Sequence, residues 1–223
     1  MLIIAEELTK YYDRGSEKIA ALHEVNLQIP AGAFVFIVGP SGGGKSTLLH
    51  LLGGMDRPSA GKLAVNGFAI DTASDDELTR FRRQHIGFVF QFFNLLSSLN
   101  ALDNVALPLL ARRERHKTAQ KQAAELLEQV GLGSRLRHKP AALSGGEQQR
   151  VAIARAIIGK PSLVLADEPT GDLDAANAEA VMQLMLELNR SLGITFIVAT
   201  HNEALTRFGD RLYELQAGKL RGR

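Results

Sequence analysis

Three groups of residues in the 223-residue chain combine chemically useful types with a spacing that makes sense of them. The first is Gly39-Pro40-Ser41-Gly42-Gly43-Gly44-Lys45-Ser46-Thr47, which reads G-x-x-x-x-G-K-[ST]. Consecutive glycines let backbone N–H groups close around phosphate oxygens, and a helix N-terminus behind them adds partial positive charge. Lys45 has the reach for the β- and γ-phosphates, and the Ser46 hydroxyl is placed to ligate Mg²⁺. The second group is Asp167-Glu168, at the end of the apolar run Leu163-Val164-Leu165-Ala166. Alone it reads as a surface acidic pair before a proline turn. Beside a phosphate loop, Asp167 becomes a second Mg²⁺ carboxylate, and Glu168 a general base for the water attacking the γ-phosphate. The third is Ser144-Gly145-Gly146-Glu147, a capping box in form, with Ser144 capping the helix and Glu147 reaching back. Two glycines in a first helical turn cost about 1 kcal/mol each. They are accounted for if the backbone must closely approach an anion. A second phosphate site in one chain points to a nucleotide shared between two subunits. The phosphate loop by itself separates neither ATPase from GTPase nor either from a small-molecule kinase.

The elements that must position these groups follow from the apolar patterning. Residues 33–38 form a continuous apolar run, as a parallel strand buried on both faces does, and Leu48, Leu49, Leu51, Leu52 and Met55 recur afterwards at helical spacing. Further buried strands are predicted over 86–90, ending at Gln91, over 163–166, and over 195–199, ending at Thr200-His201. Strands alternating with helices imply an α/β fold with a mainly parallel sheet, whose ligands gather at the strands' carboxyl ends. Gly39, Gln91, Asp167 and His201 all lie just past such ends.

Alternation in Val25, Leu27 and Ile29, and again in Leu63 and Val65 before the turn-forming Asn66-Gly67, predicts a small antiparallel sheet against that core. Tyr12 falls in its first segment. Ser74 to Glu77 forms a capping box for a helix to about Gln84, and residues 92–110 are rich in Phe and Leu, with Pro108 interrupting any helix there. The charged cluster Arg112 to Lys117 reads as a solvated turn before a helix that Gly131 stops. Helices are expected from the Ser144 box to about Ile158 and from about Ala175 to Arg190, then a closing hairpin around Ala217-Gly218.

Composition sets the outer limits. With 45% hydrophobic and 22% charged residues, the chain has the makeup of an ordinary globular domain. Net charge of +2 argues against nucleic acid as a partner, and the absence of cysteine excludes disulfides, thiol catalysis and Cys-ligated metals. No apolar run approaches the roughly 20 residues that cross a bilayer, and no signal peptide is apparent.

Taken together, the phosphate loop, Gln91, Leu143-to-Gln148, Asp167-Glu168, Asp174 and His201 resemble the ATP-binding-cassette (ABC) ATPases, in the family's order and over nearly the whole chain. The resemblance implies one ABC ATPase domain over residues 1–223, with a helical lobe at about 92–160. It also implies a homodimer that sandwiches two ATP molecules, each between one phosphate loop and the partner's signature helix. By position, Tyr12 would stack on adenine, and Gln91 would meet Mg²⁺ and the attacking water. Ser144, Gly145, Gly146 and Glu147 would serve the partner's nucleotide, with Ser144 and Gly146 at its γ-phosphate. Asp174 would lie at the dimer interface and His201 would hold the γ-phosphate.

Within the family, Ser46 to Gly54, Gly87 to Gln91 and Leu165 to Gly171 are similar to the LolD, MacB and FtsE group, above all to its lipoprotein-releasing branch. Gly43, Asp172 and Asn202 depart from the group's usual Ser, Asn and Asp. This likeness implies an ATPase on the cytoplasmic face of the bacterial inner membrane, bound to integral permease subunits through about 92–110. It would power lipoprotein release or MacB-like export, or, in the FtsE manner, signal without transport. Phe92, Phe93, Leu95 and Leu96 are expected to line the groove that receives the permease.

Overall fold

The computed structural model describes residues 1–15 and 17–223. Its centre is a six-stranded sheet ordered β10-β9-β3-β8-β7-β6. β3 (Phe34–Val38), β6 (Ile86–Phe90), β7 (Leu163–Asp167) and β8 (Thr195–Thr200) run parallel, as does β9 (Arg211–Gln216) beside β3. β10 (Lys219–Gly222) returns antiparallel through the predicted turn, where Ala217 and Gly218 both take positive φ, 48° and 75°.

The continuous apolar runs have the expected cause, because both faces of the sheet are covered. Phe34, Phe36, Phe196 and Val198 point into one core, while Val35, Ile37, Ile197 and Ala199 point into the other. The Phe34 and Phe196 rings stack across β3 and β8 at 5.5 Å.

The second core is closed by α1 (Lys45–Leu52), α2 (Asp75–His85) and an antiparallel sheet ordered β2-β1-β4-β5. In it, β1 (Ile3–Arg14) lies between β2 (Glu17–Ile29) and β4 (Ala60–Val65), and β5 is the pair Phe68–Ala69. Asn66 and Gly67 turn β4 into β5 with φ of 52° and 73°. Both hydrogen bonds of the Ser74–Glu77 capping box are present at the start of α2.

The first core is closed by α3 (Ala101–Ala111), α4 (His116–Gln129), α5 (Gly145–Ile157) and α6 (Ala175–Leu192). Three local expectations are corrected here. Pro108 does not break the chain: α3 passes through it, at a cost of about 3 kcal/mol that burial of Val105, Ala106 and Leu109 offsets. Arg112 is no solvated turn residue, since its guanidinium donates to the carbonyls of Arg83, Gln84 and Gly159 and ties α3 to α2 and α5. Met55 lies past the end of α1 and is exposed. No helix among the described residues is long and apolar enough to cross a membrane.

Candidate nucleotide site

The phosphate loop joins β3 to α1. At Gly39 a β-carbon would run into the Leu215 carbonyl, and at Gly44, which adopts φ of +104°, into that of Ala21. Only glycine lets the loop fold back this tightly on β9 and β2. Gly44 is also the N-cap of α1, and it supplies no side-chain acceptor; the first turn holds no acidic residue either. By contrast, α2, α3, α5 and α6 are all capped by their own side chains. The N–H groups that open α1 are therefore left for an anion, in a cavity of about 180 Å³ lined by Gly42, Gly44, Lys45, Ser46, Thr47 and Tyr12. Lys45 is 6% exposed, and its ammonium donates to two backbone carbonyls, Gly39 at 2.8 Å and Pro40 at 3.1 Å. A triphosphate fits such a cradle.

Glu168 faces it from the end of β7. Its carboxylate lies 3.9 Å from the Lys45 ammonium and accepts from His201 Nδ1 at 3.0 Å and the His201 N–H at 3.3 Å. Glu168 takes φ of +46°, a left-handed conformation that costs a residue with a side chain about 1 kcal/mol. The Glu168 N–H is bonded to the Ala199 carbonyl on β8, which holds the residue there. Lys45, Glu168 and His201, scattered over more than 150 residues of sequence, thus meet at the carboxyl ends of β3, β7 and β8. Asp167 ends β7 itself. No group of three or more His, Cys, Asp or Glu fit to hold a metal occurs among the described residues. A Mg²⁺ ion bound through phosphate needs few protein ligands, and Ser46, Gln91 and Asp167 are the oxygen donors that could hold it.

Gln91 follows β6, and its amide donates to Asp172 Oδ1 at 2.9 Å across Gly171. Asp174 is the N-cap of α6, accepting from the Asn177 N–H at 2.9 Å. Ser144 and Glu147 form both bonds of the capping box on α5, and Glu147 also accepts from Arg135 at 3.0 Å. The Ser144 N–H and then Arg135 hold the Glu147 carboxyl below the usual range. Gly146 has a structural reason beyond the approach of an anion. It is buried, and a β-carbon there would meet Asn177 Oδ1 at 2.7 Å, so close packing on α6 also favours a small residue. Among the described residues, no hydrogen bond joins Ser144–Glu147 to the chain's own phosphate loop.

Two polar residues at this site are not marked by any motif. Gln149 on α5 is fully buried and donates to the carbonyls of Pro169 and, at 3.4 Å, Phe90, the backbone beside Glu168 and Gln91. A signal for it does exist: it lies four positions from Ile153, on the helix's buried face. Asp56, bonded to the Tyr12 hydroxyl at 2.9 Å, carries no such signal.

Residues 22–171 match the ABC transporter family. The chain belongs to that family. Among curated ABC proteins it is 48% identical to the lipoprotein-releasing system ATP-binding protein LolD of Alcanivorax borkumensis, over 97% of this chain and 95% of that one. It is 49% identical to the LolD protein of Coxiella burnetii, over 98% and 94%. Among solved structures, it superposes with a TM-score of 0.91 and 44% identity on the dimeric post-hydrolysis state of the ATP-binding cassette MJ0796 bound to ADP and Pi. That match covers 99% of this chain and 97% of the other. The ABC fold, a nucleotide-binding core with an antiparallel sheet and a set of helices, is the one expected, and the chain is an ABC ATPase.

Beside the end of β6 lies a cavity of about 360 Å³, lined by Phe88, Phe90, Asn94 and Pro108 together with Arg112 and Arg155. None of Phe92, Phe93, Leu95 and Leu96 lines it. Leu95 packs on the first core and Phe93 is half-buried, because Arg155 holds the carbonyls of Phe93 and Asn94 and turns the chain inward. Phe92 and Leu96 project outward instead, 72% and 49% exposed.

Proposed function

We propose that this chain is the ATP-hydrolysing subunit of a membrane complex that releases lipoproteins. The observation that carries it is the identity of about half of all positions with LolD proteins along nearly the full length of both chains. The working form would be a homodimer with ATP between one protomer's phosphate loop and its partner's Ser144–Glu147. The superposed MJ0796 cassette, itself a dimer with ADP and Pi bound, is in keeping with that arrangement.

In this reading Tyr12, beside the phosphate loop, takes the adenine. The α1 N–H groups and Lys45 hold the phosphates, and Ser46, Gln91 and Asp167 would hold a Mg²⁺ ion, which would supply charge neutralisation at the phosphate oxygens. Glu168 takes the proton of the attacking water, Gln91 orients that water, and His201 moves from Glu168 to the γ-phosphate. Asp174, capping α6 at the loop after Glu168, lies at the dimer interface. The permease docks at the cavity beside Phe90, where the exposed Phe92 and Leu96 flank the segment that follows Gln91. The protein would thus act as a peripheral subunit at the cytoplasmic face of the inner membrane.

The test is reconstitution with the permease subunits in vesicles carrying a lipid-anchored protein. ATP-dependent release of that protein is expected. Movement of an unlipidated substrate instead would indicate MacB-like export, and ATP turnover with no movement of either would favour the signalling role.

A further inference from the structure

The ring of Tyr12 is held by more than its strand. Its hydroxyl donates to Asp56 Oδ2 at 2.9 Å, and the Lys10 ammonium lies 5.0 Å from the ring centroid, over one face. Lys10 in turn donates to Asp56 Oδ1 at 2.6 Å and to the Arg57 carbonyl at 2.8 Å. The Arg57 N–H completes the shell of Asp56 at 2.7 Å. Both carboxylate oxygens are thus engaged. Burial pushes Asp56 up, but these bonds outweigh it and hold its carboxyl below the ordinary value. Burial, followed by the bond to Asp56, raises the Tyr12 phenol.

Asp56 belongs to the turn that ends α1. Its N–H and that of Met55 both point at the His50 carbonyl, at 3.4 and 2.9 Å. The other end of the same eight-residue helix is the phosphate cradle. One rigid element therefore carries the cradle at its N-terminus and, past its C-terminus, the carboxylate that grips Tyr12 across the boundary with the antiparallel sheet. Lys10 covers one face of the ring, and Tyr12 also lines the cavity at the phosphate cradle.

We propose that Asp56 is a positioning residue for the nucleotide: by tying Tyr12 to α1 it fixes the base-stacking ring relative to the phosphate cradle. The tether has no bearing on a ligand that lacks a base. This rests on the reading that Tyr12 meets the base, so the test separates the two.

The experiment is calorimetric titration of Tyr12→Ala, Tyr12→Phe, Asp56→Ala and the Tyr12→Phe/Asp56→Ala pair with Mg-ATP and with inorganic tripolyphosphate, alongside melting curves. Tyr12→Phe keeps the ring and removes the hydroxyl, with its bond to Asp56 and its contact with Thr47, whereas Asp56→Ala breaks the tether and leaves the Thr47 contact. Tyr12→Phe and Asp56→Ala are each expected to weaken ATP by about three- to tenfold, the worth of one hydrogen bond. The pair should lose no more than the larger single loss, because both changes remove one interaction. Tripolyphosphate should bind all four variants like the wild type. Wild-type ATP affinity in Tyr12→Phe, with Tyr12→Ala still weakened, overturns the tether and leaves stacking in place. Wild-type affinity in Tyr12→Ala overturns the stacking reading and the tether with it. Equal losses for ATP and tripolyphosphate in Asp56→Ala, or fully additive losses in the pair, make Asp56 a brace of the loop and also overturn the proposal. Should Asp56→Ala fail to fold, Tyr12→Phe on a Thr47→Val background still decides, because any further loss there belongs to the tether.

Discussion

The Glu168 carboxylate is shared between two side chains proposed to meet the γ-phosphate, accepting from His201 Nδ1 at 3.0 Å with Lys45 Nζ at 3.9 Å. Binding a triphosphate must exchange at least one of these contacts for phosphate oxygen. Glu168→Gln removes both the general base and the competing charge. It should therefore keep or improve ATP affinity while slowing hydrolysis by about 10²-fold or more. In the proposed sandwich ATP holds the two protomers together until it is hydrolysed, so the variant should accumulate as an ATP-bound dimer. Steady-state turnover and gel filtration with ATP read both halves, and wild-type turnover would remove the role given to Glu168.

How much of this was legible depended on distance along the chain. The phosphate loop, the Ser144 box and the strand ends at Gln91, Asp167 and His201 are each written within a dozen residues, so periodicity and turn chemistry suffice. Tyr12 and Asp56 stand 44 residues apart and join only because β1 crosses the turn after α1. Arg112 misled for a similar reason: its three carbonyl partners lie on α2 and after α5, and a run of charges looks the same whether solvated or clamped. Pro108 misled because local propensity says nothing of the core that α3 buries.

The shared-site arrangement makes a second prediction. Lys45→Ala should abolish nucleotide binding, since a buried ammonium anchors the cradle. Ser144→Arg places a long cation on the exposed N-cap of α5 and should spare binding to the monomer but block closure of the dimer. Mixing the two variants leaves at most one composite site intact, so the mixture should recover no more than about half of wild-type turnover. Normal hydrolysis by Ser144→Arg alone would exclude the partner's nucleotide from that helix.

Acid should loosen the same helix. Folding depresses the Glu147 pKa, through the Ser144 N–H first and Arg135 next. A carboxylate depressed by folding adds stability above its unfolded pKa, about 4.3 for Glu. That stability is lost as pH falls through the lower folded value. Melting temperature should therefore drop on acidification below about pH 4.3, and Glu147→Gln should melt somewhat below wild type at neutral pH and show a smaller acid drop, the two curves converging in acid. An identical acid profile in the variant would deny Glu147 this role.

The loop after Gln91 yields the last prediction. Phe92 and Leu96 are 72% and 49% exposed, whereas Leu95 between them is packed on the core. Asn104 fastens this loop from α3: it is fully buried, its Oδ1 accepts from the Leu96 N–H at 2.8 Å, and its amide donates to the Leu96, Leu99 and Asn100 carbonyls. The backbone is thus fixed while two large apolar side chains face outward beside the cavity at Phe90. Apolar anchors of this kind give helix-in-groove docking much of its affinity. A charge at Leu96 therefore costs the free protein little and the complex much. Leu96→Glu should melt within a few degrees of wild type and keep basal ATPase activity, yet lose co-purification with the permease subunits and the stimulation they bring. Leu95→Glu is the contrast, because it drives a carboxylate into the first core and should lower the melting temperature sharply. Retained association in Leu96→Glu would place the permease contact elsewhere on the cavity rim, at Asn94 and Pro108.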